Sequence, residues 1–134
     1  MRKFFLAGLV AVMAVAVVAL AAEMPEKVTI KDCATTKGAV EFPHKVHVDA
    51  KIACSKCHHT QKDLTAETAK TTAVDKCGKC HIKPEKAETP ACAGKTMKDN
   101  PYHIGCVSCH KETKAAKADT KAPTVCTGCH AKTS

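Results

Sequence analysis

The apolar positions of this chain fall into two unequal parts. Residues 4–22 are almost wholly apolar, follow a short basic start of Arg2 and Lys3, and close on Ala19-Leu20-Ala21 before Ala22-Glu23. A basic start, an apolar run and small residues three and one before a cut describe an export signal cleaved after Ala21. The chain then divides into a signal peptide at 1–21 and a mature domain at 22–134. The rival reading is an uncleaved membrane anchor, because the run reaches the lower edge of a spanning helix. The Ala-rich end and the Ala-x-Ala motif favour cleavage. No Cys stands at the cut, so a lipid anchor has no support.

Beyond the cut the pattern is sparse. Val28-Thr29-Ile30 and Ala39-Val40-Glu41-Phe42 alternate and predict two short strands, joined as a small hairpin through residues 35–38. Residues 63–70 predict a short helix. Pro84 and Pro90 bracket a loop over about 84–98. Residues 111–121, rich in Ala and Lys, read as a helix or as a mobile arm ending at Pro123.

Composition sharpens this picture. From Ala22 onward, 113 residues hold one Leu (Leu64), four Ile, seven Val and one Phe (Phe42). So little aliphatic mass cannot bury enough surface to offset conformational entropy. An ordinary enzyme with a self-sufficient hydrophobic core is excluded. Either the mature chain is disordered, or something other than side chains fills its core.

Eight of the ten Cys decide between these, because they form four copies of Cys-x-x-Cys-His. The copies are Cys54 to His58, Cys77 to His81, Cys106 to His110 and Cys126 to His130. This is the attachment pattern of c-type haem. Two thiols three residues apart project from one side of a helical turn and reach the two vinyl groups on one porphyrin edge. The adjoining His then sits beneath the iron as its proximal ligand. Two Cys₄ zinc sites would also use eight Cys, but zinc gives no reason for a His after every pair. A pure disulfide scaffold fails too, because cysteines three apart rarely pair usefully. The third and fourth motifs are expected to start or sit within short helices.

The remaining His complete a coordination count. Outside the motifs stand His44, His47, His59 and His103, so eight His match the eight axial positions of four irons. That predicts six-coordinate bis-His iron, with Met97 the weaker alternative at one position. His44 and His47 lie three apart and share one face of a helical turn, so they reach two neighbouring groups. His58 and His59 are adjacent and diverge toward two different irons. Cys33 and Cys92 are left over. In an oxidising compartment a spare pair is expected to form a disulfide closing a loop over the first two motifs.

The layout Phe42-Pro43-His44-Lys45-Val46-His47, followed by Cys54-x-x-Cys57-His58-His59, resembles cytochrome c3, the class III tetrahaem cytochromes of sulfate-reducing bacteria. The resemblance runs from about Val28 to His130. It implies a small multihaem cytochrome c3-like fold, mostly short helices and loops with a minor N-terminal two-stranded β element, and a core formed by four haems. Carried over position by position, it pairs His58 with His44 at haem I and His81 with His59 at haem II. It pairs His110 with His47 at haem III and His130 with His103 at haem IV. Phe42 resembles the family aromatic packed between haems I and III. Two features depart: all four motifs here have two residues between the Cys, where many members have four in the second and fourth, and Cys33 and Cys92 lie outside the family pattern.

Charge bears on partners. The chain carries +8, or +6 without Arg2 and Lys3, and its Lys thicken at Lys111, Lys114, Lys117, Lys121 and Lys132. Export argues against nucleic acid, leaving an acidic protein or an anionic surface. For any single Lys a solvated surface is the simpler account. With both axial positions closed, substrate chemistry at iron is disfavoured and outer-sphere electron transfer remains. The expected protein is a non-enzymatic, periplasmic, low-potential carrier that does not span the membrane once its signal is cleaved. The resemblance adds hydrogenase as electron donor and membrane-associated redox complexes as acceptors, in sulfate-reducer-type anaerobic respiration. The rivals are a multihaem reductase with one five-coordinate iron, and a membrane-held quinol-oxidising subunit retaining the N-terminal helix.

Overall fold

The computed structural model describes residues 23–34 and 36–130. The expected signal peptide, its cleavage point and Lys132 lie outside the described residues. Two strands open the fold: β1, Val28–Ile30, and β2, Val40–Phe42. They pair antiparallel with Val28 opposite Phe42, Thr29 opposite Glu41 and Ile30 opposite Val40. Val28, Ile30, Val40 and Phe42 share the half-buried face while Thr29 and Glu41 face solvent, as the alternation predicts.

Four helices follow: α1 (His44–Asp49), α2 (Gly78–His81), α3 (Pro101–Ala116) and α4 (Cys126–Cys129). Only α3 is long. Asn100 caps it by accepting from the Tyr102 N–H at 2.9 Å, and Pro101 occupies the first helical position, where no backbone N–H is needed. The third motif therefore sits inside a sixteen-residue helix rather than a short one. That helix takes up residues 111–116, and Lys117 ends it with extended backbone. The fourth motif begins a short helix, as expected.

The helix expected over 63–70 shrinks to a 3-10 turn at Thr68–Lys70. The Thr65 N–H donates to Thr68 Oγ1 at 2.9 Å, and the Thr68 N–H donates back to Thr65 Oγ1 at 3.1 Å. Reciprocal threonine bonds offer the backbone an alternative to helical pairing and close the turn on itself. Residues 84–98 contain no helix or strand.

The hairpin and the fourth motif meet. Val40 makes an isolated antiparallel bridge with His130, so α4 docks on β2. The hydrophobic core is minimal. Among the described residues only Leu64 and Cys92 are buried, while Val46, Ile104 and Val125 are 61%, 50% and 63% exposed. Cys92 is bonded to Cys33 in a disulfide joining residues 59 positions apart. No helix among the described residues is long and apolar enough to cross a membrane.

Candidate cofactor site

Each Cys-x-x-Cys-His copy closes one helical turn. The His58 N–H donates to the Cys54 carbonyl at 2.8 Å, His81 to Cys77 at 3.0 Å and His130 to Cys126 at 2.8 Å. In the third copy the same turn is part of α3. This turn sets both thiols and the imidazole on one side. Two copies need glycine within them. A Cβ on Gly78 would stand 2.6 Å from Asp32 Oδ2, and one on Gly128 would stand 2.7 Å from Pro123 Cβ. Neighbouring chain therefore presses against α2 and α4.

None of the eight motif thiols is spent in a disulfide. Burial, then the nearby Cys57 and Cys77 thiols, push Cys106 up to about 11. Burial likewise raises Cys57, Cys77 and Cys129. Cys57 and Cys77 both act on Cys106, so thiols of the first three motifs lie near one another.

The histidines come together in twos. His47 and His110 stack with ring centroids 6.0 Å apart, joining α1 to α3. His59 and His81 stand 5.9 Å apart, joining the first motif to α2. His103 and His130 stand 6.1 Å apart, joining α3 to α4. Each pair combines one motif His with one outside the motifs. Two imidazoles on opposite sides of one transition-metal ion, each bound at about 2 Å, have centroids about 6 Å apart. His44 and His58 are not in ring contact. His44 instead tilts against Phe42 at 6.0 Å, and Phe42 lies 4.5 Å from His47. Phe42 thus bridges the two α1 histidines. Among the described residues no three His, Cys, Asp or Glu side chains converge on one point, as a zinc cage would require.

Six of the eight imidazoles are anchored through Nδ1. His44, His47, His58, His81, His110 and His130 donate from Nδ1 to the carbonyls of Pro25, Pro43, Asp75, Pro90, Pro123 and Gly38 at 2.7 to 3.2 Å. A hydrogen-bonded Nδ1–H fixes the tautomer that leaves Nε2 for a metal and raises its basicity. His59 has no such bond among the described residues, and His103 Nδ1 is buried without a partner. These carbonyls escaped the sequence reading, because any residue supplies one. The sequence reading also missed the helix start at Asn100-Pro101, which a capping residue followed by Pro signals.

Paired thiols, an adjoining imidazole and a second imidazole from elsewhere suit a haem attached by thioethers and ligated on both faces. These features define a c-type cytochrome. The chain belongs to the class III cytochrome c family, whose description matches it over residues 18–130. It is also similar to the high-molecular-weight cytochrome c of Nitratidesulfovibrio vulgaris (strain Hildenborough), at 29% identity over 127 residues. That match covers 81% of this chain but 21% of the relative, so the chain spans about a fifth of the curated protein it matches. The family carries covalently bound c-type haem and transfers electrons.

Proposed function

We propose that this chain is a periplasmic, low-potential tetrahaem electron carrier and not an enzyme. Cys54 and Cys57 hold the first haem, with His58 and His44 as axial ligands. Cys77 and Cys80 hold the second, with His81 and His59. Cys106 and Cys109 hold the third, with His110 and His47. Cys126 and Cys129 hold the fourth, with His130 and His103. The observation that carries this reading is the meeting of motif and non-motif histidines at 5.9 to 6.1 Å in three of these four sets.

The bound haem supplies a one-electron iron couple; the chain decides how that couple is used. Two imidazoles holding each haem iron would leave no coordination position open to substrate. Nδ1–H bonds to carbonyls strengthen the imidazoles as donors and favour the ferric state, supporting low potentials. α3 carries ligands for both the third and fourth sites, α1 for the first and third, and the adjacent His58 and His59 for the first and second, so the four centres would sit within one short hopping path. The nearly absent core supports the same reading, because four macrocycles would supply the apolar mass that the side chains lack.

The signal-like residues 1–21 support export to a periplasm. Exposed Lys111, Lys114, Lys117 and Lys121 stand beside the third and fourth motifs, against only Glu112 and Asp119. The ion pairs of the described residues engage Lys45, Lys70 and Lys79, so these four keep their charge for a partner. An acidic redox partner fits this face, with hydrogenase as donor and membrane-associated redox complexes as acceptors in sulfate-reducer-type respiration. Intact mass tests the core of the proposal: the chain from about Ala22 plus four haems, none released by acid-acetone. Fewer than four covalent haems, or a high-spin iron in the EPR spectrum of the oxidised protein, would break it. Potentiometric titration with and without hydrogenase tests the partner.

A further inference from the structure

Each motif histidine rests on a carbonyl from elsewhere in the chain, and the segments that supply these carbonyls are secured differently. Behind His58, Asp75 is held by Gln61: the Asp75 N–H donates to Gln61 Oε1 at 3.3 Å, and Gln61 Nε2 donates to Ala73 O at 2.9 Å. Behind His110, Pro123 packs on Gly128. Behind His81 the acceptor is Pro90, at 2.8 Å, within the irregular loop over residues 84–98.

Cys92, two residues further on, ties that loop down. Its N–H donates to the His81 carbonyl at 2.8 Å, its own carbonyl accepts from Asn100 Nδ2 at 3.5 Å, and its sulfur is bonded to Cys33. At 2% exposed it is more deeply buried than Leu64. Cys33 takes a left-handed φ of 54°, unfavourable for a side chain with a Cβ, so its neighbours must hold it there. The adjoining Asp32 does so, accepting from the Tyr102 hydroxyl and packing on Gly78. The segment at 32–33 thus grips α2, α3 and the Pro90 loop together.

We propose that the Cys33–Cys92 disulfide is a positioning element for the second iron: it holds the Pro90 carbonyl on Nδ1 of His81, and breaking it selectively raises that centre's potential. This rests on the haem assignment above. Without the crosslink the irregular loop loses its covalent tie, the His81 Nδ1–H loses its acceptor, and the imidazole becomes a weaker donor to ferric iron. The other three motif histidines keep their acceptors: Asp75 is held by Gln61, Pro123 lies against Gly128, and Gly38 stands beside β2, which pairs with β1 and bridges to His130.

The test compares the wild-type holoprotein with Cys33→Ser/Cys92→Ser, following all four haems by NMR during a redox titration. The second centre is assigned through its contacts with Cys77 and His81. At fixed applied potential its ferrous-to-ferric ratio should rise about tenfold, equivalent to about 59 mV for one electron. The other three should move by less than about twofold. If the variant does not assemble, wild-type holoprotein reduced with a phosphine serves instead. The phosphine is oxidised to its oxide while water supplies the oxygen and the protons that leave two thiols. A merely structural disulfide would lower stability and shift all four centres alike or none, and either result overturns the proposal. Fewer than four haems in the wild type would overturn the assignment beneath it, and this inference with it.

Discussion

Around the second motif, residues 32–33, the Pro90 loop and the start of α3 close on α2 through a disulfide, the Asp32–Tyr102 bond and the Asn100 side chain. Past His110, α3 runs on through Ala116 with every residue exposed, and after Lys117 the chain continues without helix or strand to Val125. One region is tied from three directions; the other is held by helix backbone and the His110 contact to Pro123. The difference follows from chemistry rather than from burial, because neither region has a hydrophobic core to settle into. The region around the second motif adds a covalent tie to its polar contacts. The stretch beyond His110 leaves Lys111, Lys114, Lys117 and Lys121 exposed to solvent.

Perturbing the tied region at its thiols should have the largest effect. Cys77→Ala/Cys80→Ala should reduce the mass by one haem and abolish cooperative unfolding, because folding and cofactor binding are coupled in a chain this poor in core. Circular dichroism and intact mass read both. Cys126→Ala/Cys129→Ala, at the chain's end, should leave the β hairpin and the Cys33–Cys92 crosslink intact.

Next in size is the crosslink itself. Cys33→Ser/Cys92→Ser should lower stability by about 4 kcal/mol on the loop-entropy account, measured by denaturant titration of the holoprotein. A loss under about 1 kcal/mol would mean that the polar contacts alone secure this region.

The two glycines then separate rigid from yielding neighbours. Gly128→Ala drives a methyl into the Pro123 ring and should cost about 1–3 kcal/mol. Gly78→Ala meets the Asp32 carboxylate, which can swing away by giving up its bond to Tyr102, at about 1 kcal/mol. Thermal unfolding of both variants checks the order.

A smaller effect follows from pH. Burial, with the Asp32 carboxylate beside it, holds the Tyr102 hydroxyl far above the ordinary phenol range. A raised pKa means that the folded state keeps this proton more tightly. Its contribution is whole below about pH 10 and drains away as pH rises further. Tyr102→Phe should flatten alkaline unfolding and cost about 1 kcal/mol at neutral pH, where the bond to Asp32 is intact.

The free region should respond only in rate. Changing Lys111, Lys114, Lys117 and Lys121 to Gln should shift stability by less than about 0.5 kcal/mol. Electron uptake from hydrogenase should slow severalfold at low salt and lose its salt dependence. Unchanged uptake and salt dependence would place docking on another face.

Much of this was legible in the chain. The hairpin followed from alternation at Val28, Ile30, Val40 and Phe42. The cofactor class followed from four identical five-residue spacings, since one helical turn is the only local geometry that serves both thiols and the imidazole. The extent of α3 was missed because its apolar stripe is replaced by His103, Cys106 and His110, and periodicity methods do not count such residues as core. The short helix over 63–70 failed because Thr65 and Thr68 bond each other's backbone.

By itself, then, the sequence determined the local units: four attachment turns, their thiols, a spare His for each, and a pair of leftover Cys. Tertiary structure alone decided which carbonyl stands behind each Nδ1 and which segments close around the Cys33–Cys92 bond that the leftover pair led one to expect. The physical reason is range. A motif acts within one turn, where backbone geometry admits few arrangements. A ring pair such as His103 and His130, or the contact of His130 with Gly38, depends on the placement of segments far apart along the chain, and no local pattern encodes it.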